Sequence, residues 1–511
     1  MSLIQSAISS LNAPYVTTLL LCFLILNLVL YRRFFHPLAD IPAPPIAAFT
    51  SLFLYTICYL GIEGRVLAKY HRRYGTTVLR IAPNAVSIAN GADLNTIYFV
   101  GGGFPKDARY RNFRVEGHDT IFSAVDASYR DLRAKAVAPL FAQHRIREAG
   151  RNNGVLQRCM DKFIARFEKE KRDALESSPD EAKVDILDLA ARLSIDVTTG
   201  YLFNAEFGGL DENSPPPSKT SSLAAGKLSL TPFILAITSF GRFSLLPNWL
   251  FTIIFSLWAR IVSDTPLLDA MGRLNNYIGR LIDNADPDQD GSYQARLLAA
   301  RISKAETEIQ CKAVTFAGTD STAVKLATIL FHLVQNPQVC AMIRRESKAA
   351  GHDADPQTLP YLRAVIHEGL RLGVANPVRL TRTVPPTGLD IGPYHLPGGT
   401  NVGAAAYVLH HNPEVYPAPF KFQPERWLNE QSEKDTRRAS DRDWIPFGLG
   451  SRVCIGRNLA TYQLLMATRA VAESGVLHGA KTCKENIEIY EWFNAEIKGH
   501  ELEIMWNSQG L

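Results

Sequence analysis

The chain has 511 residues, of which 46% are hydrophobic and 21% are charged, and its mean hydropathy is −0.04. This composition is typical of a folded globular protein and excludes a disordered one. The net charge of +5 is too small on this length to indicate a nucleic-acid partner. The seven cysteines form no C-x-x-C pair, which argues against a disulfide framework or a zinc cage and favours a reducing compartment.

The N-terminal segment predicts a membrane anchor. No Lys, Arg, Asp or Glu occurs before Arg32, and the run from Tyr15 to Tyr31 is almost wholly apolar. Arg32 and Arg33 follow at once, so the positive-inside rule places the short N-terminus in the lumen and the rest of the chain in the cytosol. A cleaved signal peptide would carry charge before the apolar run and a small-residue cleavage site after it. We therefore predict that residues 1–33 are a luminal N-terminus and a retained transmembrane helix.

The next segment predicts a stiff connector. Residues 34–45 end in "IPAPP", and closely spaced prolines favour an extended backbone. We expect this hinge to hold a catalytic domain, residues 46–511, near the membrane. The apolar stretch Ile46–Ile62 is interpreted as a helix against the membrane surface or the body, with a second span left open.

The body is predicted to be mainly helical. Strand-like patterns are confined to Thr76–Asn90, which contains a Pro-Asn turn, and to parts of 378–404. Most of the remainder has helical periodicity. The segment Thr231–Trp258 is unusually apolar, and two interpretations stay open for it: core helices, or a helix pair that dips into the bilayer.

The stretch "FGLGSRVCIGRNLA" places Cys454 among glycines. A structural thiol, a nucleophile and a metal ligand are the three possibilities for such a cysteine. The pattern F-x-x-G-x-R-x-C-x-G is matched by Phe447, Gly450, Arg452, Cys454 and Gly456. Thiolate ligation of haem iron needs one cysteine on a loop close to the porphyrin, and glycines permit that approach.

Three further motifs gain weight in combination. Glu368 and Arg371 in "HEGLRL" share a helix face, and Arg426 in "FQPERW" follows in the order that completes a buried triad. In "AGTDST", Gly318 leaves room over a haem for O₂, while Asp320 and Ser321 supply an acid and a hydroxyl. In "YRDLR", two arginines, Arg130 and Arg133, suit an anionic partner. Alone, each motif is explained equally well by a solvated helix face.

Taken together, these motifs resemble the cytochrome P450 superfamily of haem-thiolate monooxygenases, and most closely fungal microsomal enzymes of specialised metabolism. The resemblance covers nearly the whole chain. It implies a single large helical domain with small β-sheets behind an N-terminal transmembrane helix. It also implies haem b as cofactor, with Cys454 as the axial ligand of the iron.

The resemblance assigns further roles residue by residue. Arg133, Arg382 and Arg452 match positions that hold the haem propionates, with Tyr129 at a position that is usually Trp or His. Phe447 packs near the ligand loop. Asp320 and Ser321 match the acid–alcohol pair that delivers protons, although Thr is usual at the position of Ser321, and the neighbouring Thr322 stays an alternative. Glu368, Arg371 and Arg426 are implied to be structural. Pocket segments implied by the family are Phe104–Phe122, Thr231–Trp258, Val314–Phe316, Val374–Val378 and Trp492–Phe493.

The resemblance also implies partners. No flavin or nicotinamide motif is visible, so electrons are expected from NADPH through a separate cytochrome P450 reductase, with cytochrome b5 as a further partner. The expected site is the endoplasmic reticulum membrane and the expected substrate an apolar terpenoid or polyketide-type metabolite. Alternatives are a haem-thiolate isomerase or dehydratase, a fatty-acid or xenobiotic oxidase, and a haem carrier or sensor. The intact "AGTDST" weighs against the isomerase and the carrier, because neither needs proton delivery to O₂.

Overall fold

The computed structural model describes residues 13–151, 153–212, 227–262, 265–288, 291–428 and 434–507. The first twelve residues, which belong to the predicted luminal segment, lie outside this part. The α-helices, numbered in chain order, are α1 Ala13–Leu30, α2 Leu52–Tyr59, α3 Glu63–Tyr74, α4 Leu94–Tyr98, α5 Ala127–Val137, α6 Gln143–Ala149, α7 Val155–Ser177, α8 Ile186–Phe203, α9 Thr231–Phe240, α10 Asn248–Val262, α11 Thr265–Asp283, α12 Tyr293–Ala299, α13 Lys304–Gln335, α14 Pro337–Ala350, α15 Pro360–Leu372, α16 Ala406–His410, α17 Lys434–Asp443 and α18 Arg457–Ser474.

The strands are short. They are β1 Val78–Ala82, β2 Ala85–Ile88, β3 Ala182–Asp185, β4 Arg382–Thr383, β5 Leu389–Ile391, β6 Tyr394–Leu396, β7 Asn401–Ala404, β8 Lys481–Thr482, β9 Ile489–Tyr490, β10 Glu496–Ile497 and β11 Glu503–Trp506. Strands β1, β2 and β4–β7 lie in the predicted segments, whereas β3 and β8–β11 lie outside them and were not predicted. The largest sheet has the order β1-β2-β7-β4, with β2 and β7 parallel and the other pairs antiparallel. Smaller sheets join β3-β11-β8, β9-β10 and β5-β6. The predicted mainly helical class is confirmed.

Helix α13 runs through the centre of the body and positions the site. Ser303 caps its N-terminus: the Ser303 hydroxyl accepts a hydrogen bond from the backbone amide of Glu306, a capping pattern that stands in the sequence as Ser-x-x-Glu. Its buried faces pack against α8, α15 and α18 in the main hydrophobic core. Helix α18 starts directly after the Cys454 loop, so the loop is held between the core and the largest sheet.

The segment that was predicted as a membrane anchor forms an apolar helix. In the part of the chain that the structure describes, one unbroken helical segment, Tyr15–Phe35, is long and apolar enough to cross a membrane, and none of it is buried in the protein. Two other helix pairs meet the same criteria only when counted across bends of 106° and 104°.

The proline-rich hinge packs on the body rather than spanning open space. Leu38 and Ile41 are buried in the core around the largest sheet. The backbone amide of Arg80 donates to the carbonyl of Pro42 at 2.9 Å, and the Arg80 side chain donates to the carbonyl of Leu38. The division at residue 46 stays a prediction, but the packing begins earlier than that boundary.

Two apolar stretches of the body, Ile46–Ile62 and Thr231–Trp258, fold into helices. Helix α2, within Ile46–Ile62, buries Leu54 and Ile57 and exposes Leu52, so it lies against the body as expected. Thr231–Trp258 was left open between core helices and a helix pair that dips into the bilayer, and its two helices differ in this respect. Helix α9 contributes buried residues to the core, whereas α10 exposes large apolar side chains, namely Trp249, Ile253, Phe255 and Leu257.

Candidate functional site

The glycine-rich loop before α18 forms a tight bend around Cys454. The amide of Cys454 donates to the carbonyl of Phe447 at 2.9 Å, and the amide of Val453 donates to the carbonyl of Gly450 at 3.1 Å. Gly450 has a φ of 66°, and a Cβ atom built there would lie 1.8 Å from the carbonyl oxygen of Tyr98. Any other residue would clash with that backbone, so this glycine fixes how closely the loop approaches the rest of the body.

We use the name cleft for the opening that leaves Cys454, Ala317 and Ser321 accessible within the body of the protein. Cys454 is exposed, yet enough protein surrounds it that burial raises the pKa of its thiol. The positive charge of Lys325 and the backbone amide of Gly456 act in the opposite direction and favour the thiolate. Of the other cysteines, Cys58, Cys159 and Cys311 are fully buried and behave as small core residues.

Helix α13 lines the cleft with one face. Ala317 is exposed although the helix is central, and Ser321 is half-buried one turn further on. Lys325 lies another turn along the same face, where its ammonium group sits 4.3 Å from the ring centroid of Phe447. This face therefore leads from the cleft to the Cys454 loop, because residues four apart on a helix lie one above the other.

Gly318 has a packing role that the sequence did not indicate. A Cβ atom built on it would lie 2.5 Å from the hydroxyl oxygen and 2.7 Å from the methyl carbon of Thr198 on α8. The missing side chain thus permits the close packing of α8 on α13. The expectation that Gly318 also leaves room over a haem stays a prediction.

Asp320, Ser321 and Thr322 are adjacent in sequence but lie in different surroundings. The amide of Asn494 donates to Asp320 Oδ2 at 3.1 Å, and burial raises the pKa of this carboxyl to about 6. The Ser321 hydroxyl donates to the carbonyl of Ala317 at 2.7 Å and borders the cleft. Thr322 is 3% exposed and belongs to the core, which places Ser321 rather than Thr322 next to the cleft.

A group of positive charges gathers behind the loop. Arg452 donates to the carbonyls of Ala124 at 3.1 Å and Val125 at 3.3 Å. Its pKa is lowered by burial and by the charges of Arg130 and Arg382. Lys106 is buried beside the same arginines, which together with burial hold its pKa well below the usual range. These positive charges repel one another, and a bound dianion would offset the repulsion.

Lys106 was missed by sequence reasoning. Its ammonium group lies 4.1 Å from the ring centroid of Tyr110 and 4.5 Å from that of Phe122, and it donates to the Phe122 carbonyl. A single cation in "FPKD" next to an aromatic-rich stretch is a weak signal, because surface lysines have the same local sequence.

Arg133 and Tyr129 lie together but point to another partner. Arg133 forms an ion pair with Glu306 at the start of α13, and its guanidinium lies 3.4 Å from the ring centroid of Tyr129. The Tyr129 hydroxyl donates to Glu306 and to the Asp119 carbonyl. Arg382 and Arg452 belong to the group of positive charges that includes Lys106. Arg133 and Tyr129 instead contact Glu306, and their contact with a propionate stays a prediction.

The three residues of the predicted triad meet in the core behind the loop. Glu368 accepts from Arg371 Nε at 2.9 Å and Nη2 at 2.8 Å, and from Arg426 Nε at 3.1 Å. Arg371 also donates to the carbonyls of His410 and Pro419. Burial alone would raise the pKa of Glu368, but the two arginines outweigh it and the pKa is lowered. The charge of Glu368 is thus fixed by its partners and takes no part in proton exchange near neutral pH.

The residues present fit a haem. Cys454 offers one thiolate at the cleft, and Lys106, Arg382 and Arg452 offer positive charge for two carboxylates beside it. Among the described residues, no group of three or more His, Cys, Asp or Glu side chains is placed to hold a metal ion. A metal bound at Cys454 would therefore take its remaining ligands from a cofactor, as a porphyrin supplies them.

The cleft region beyond the cations is aromatic. Phe113 and Phe493 have ring centroids 4.4 Å apart. Phe122 packs edge-on against both rings, and Tyr110 packs edge-on against Phe493 and at a tilt against Phe113. Val378 adds an aliphatic side chain to the same cluster. These residues come from three of the predicted pocket segments, and their chemistry suits an apolar ligand.

Comparisons with known proteins agree with this geometry. The cytochrome P450 family model matches residues 42–471. The chain is 46% identical over 497 residues to the cytochrome P450 monooxygenase mfmF of Annulohypoxylon moriforme, covering 95% of this chain and 98% of that protein. It is 27% identical to the cytochrome P450 monooxygenase aflU of Aspergillus parasiticus, covering 90% and 91% of the two chains.

A solved structure shares the fold. The crystal structure of the cytochrome P450 CYP102L1 superposes with a TM-score of 0.65 at 18% identity, covering 87% of this chain and 97% of that one. The match of the family model over most of the chain, with the long alignment to mfmF, shows that this protein belongs to the cytochrome P450 family.

Proposed function

We propose that this cytochrome P450 monooxygenase is a membrane-anchored enzyme that inserts one oxygen atom from O₂ into an apolar secondary metabolite of terpenoid or polyketide type. The observation that supports the proposal is the accessible thiol of Cys454, on a loop that Lys325 contacts one turn of α13 beyond Ser321. Haem b bound through this thiolate would supply the activation of O₂, since a thiolate ligand favours cleavage of the O–O bond.

Four side chains would hold the cofactor in place. The Cys454 thiolate would bind the iron, and its loop is held by the close approach of Gly450 to the Tyr98 carbonyl. Arg382, Arg452 and Lys106 would neutralise the propionates, since Arg382 lies close enough to Arg452 and Lys106 for its charge to lower the pKa of both. Phe447 would support the ligand loop, since its carbonyl accepts the amide of Cys454 at 2.9 Å.

Asp320 and Ser321 would move the proton. A carboxyl with a pKa of about 6 exchanges its proton near neutral pH, and Asp320 has that value because it is buried. The Ser321 hydroxyl, at the edge of the cleft, can hold a water molecule toward the reacting oxygen. The Asp320 side chain currently accepts from Asn494, so a rotation about its χ angles would bring it toward the cleft.

The orientation at the membrane follows from the anchor. Residues 1–33 would place the N-terminus in the lumen of the endoplasmic reticulum, and the exposed apolar face of α10 would contact the same bilayer from the cytosolic side. Electrons would then come from membrane-bound NADPH–cytochrome P450 reductase, with cytochrome b5 as a second donor. A chain starting at residue 36 should bind haem and show weaker membrane association; failure to take up haem would make the anchor part of the fold.

The test of the reaction is isotopic. Microsomes that contain this protein and the reductase are supplied with NADPH, ¹⁸O₂ and candidate apolar metabolites. A product that carries one ¹⁸O atom and requires both NADPH and reductase supports the proposal. A product of unchanged oxygen content formed without NADPH would instead indicate an isomerase or a dehydratase.

A further inference from the structure

A buried lysine, Lys325, lies beside the loop of the metal ligand. Its side chain is 4% exposed, on the face of α13 that leads from Ser321 toward the loop. The ammonium nitrogen is 3.5 Å from the carbonyl oxygen of Pro446 and 4.3 Å from the ring centroid of Phe447. The Phe447 carbonyl in turn accepts the amide of Cys454 at 2.9 Å. The ammonium group thus contacts Phe447, whose backbone is hydrogen-bonded to the backbone of Cys454.

This cation has few protein groups to stabilise it. Within the described residues no carboxylate forms an ion pair with Lys325, and its contacts are one carbonyl and one aromatic ring. Burial lowers the pKa of Lys325 to about 8, and the negative charge of Cys454 opposes this shift. The amine is therefore mostly protonated at neutral pH. A buried charge without a carboxylate is costly, which indicates that the Cys454 thiolate is its electrostatic partner.

We propose that Lys325 is a positioning residue of the haem centre: its ammonium group stabilises negative charge on the Cys454 sulfur and raises the reduction potential of the iron bound to it. The inference rests on the proposed function, because it needs a haem on Cys454. A nearby positive charge favours the state with one more electron, and it also draws electron density from the thiolate. Both effects favour the ferrous form.

Reductive titration of the haem-loaded protein tests this. At an effective dielectric constant of about 20, one charge acting over roughly 10 Å changes an equilibrium constant about tenfold. Lys325→Met should therefore lower the constant for one-electron reduction about tenfold, which is about 59 mV for such a couple. Lys325→Arg keeps the charge and should retain most of the wild-type potential.

Lys312→Met is the matched control. It removes a buried lysine of the same helix, about 20 Å along the axis from Lys325, where Lys312 pairs with Glu116 at 2.8 Å and Glu308 at 3.0 Å. Its potential should equal that of the wild type. If Lys325→Met does not load haem, Lys325→Gln replaces it in the same titration.

Two results would overturn the inference. If a neutral variant at Lys325 has the wild-type reduction potential, the charge of Lys325 does not act on the iron. If the reduction potential of Lys325→Arg shifts as far as that of Lys325→Met, packing rather than charge is responsible. Failure of the proposed function is distinguishable, since the wild type itself would then lack the absorption band of a thiolate-bound haem.

Discussion

The substitution Glu368→Gln removes the negative charge at the centre of the buried triad. Glu368 accepts five hydrogen bonds: two from Arg371, one from Arg426, one from Trp427 and one from the amide of Gln423. The side chains of Glu368 and Arg371 are 0% exposed and that of Arg426 is 12% exposed. The variant leaves two arginines without a counter-charge, and breaking a buried pair in this way costs about 3–5 kcal/mol.

The assay is unfolding in guanidinium chloride at neutral pH, followed by far-UV circular dichroism. Glu473→Gln is the control, because Glu473 pairs with Arg469 at 2.7 Å but is 36% exposed. Pairs of that kind contribute about 0–1 kcal/mol. A loss in Glu368→Gln no larger than the loss in Glu473→Gln would refute the assignment of Glu368, Arg371 and Arg426 as the lock of this fold.

The difference in free energy of unfolding between the wild type and Glu368→Gln should also depend on pH. The pKa of Glu368 is lowered in the folded state, so its contribution is complete above the pKa of about 4.3 that an unfolded glutamate has. The contribution is lost as the pH falls through the lower folded value. The free energy of unfolding should therefore differ between wild type and Glu368→Gln by a constant amount above about pH 5, and the difference should shrink in stronger acid. A constant difference down to acid unfolding would contradict this.

Two further predictions concern α13. Ser321→Thr should keep product formed per NADPH, whereas Ser321→Ala should lower it and raise peroxide, because general acid–base assistance is worth about 10²–10⁴-fold; unchanged coupling in Ser321→Ala alone, or loss in Thr322→Ala, would shift the relay to Thr322. Gly318→Ala should cost about 1–3 kcal/mol in guanidinium unfolding through overpacking, and Thr198→Ala should restore part of it. Equal losses in both Thr198 backgrounds would show that the two residues do not compete for space.

Local sequence predicted the residues whose roles depend on spacing within one segment. The bend around Cys454 and the pairing of Glu368 with Arg371 follow from glycine positions and from helix periodicity. The antiparallel strands β1 and β2 lie in Thr76–Asn90, which was predicted as a strand-like segment with a Pro-Asn turn. In each case the physical cause lies within about ten residues, a range that periodicity and turn chemistry describe.

Contacts between distant segments could not be predicted in the same way. The position of Gly318 against Thr198 spans two helices, and the ion pair of Arg133 with Glu306 joins residues 173 positions apart. Lys325 offered a partial signal, since a lysine in the apolar run "AVKLATILF" is unusual on a buried helix. What that lysine contacts depends on the loop folding back across α13, which a single sequence does not specify.

The absorption spectrum of the reduced carbon monoxide complex shows whether Cys454 binds haem iron as a thiolate. The wild type should show the red-shifted Soret band of a thiolate-bound haem. Cys454→Ala should lose that band, whereas the control Cys340→Ala should keep it, because Cys340 lies on α14 away from the cleft. A band of the histidine-bound type in the wild type, or a thiolate band that persists in Cys454→Ala, would contradict the account.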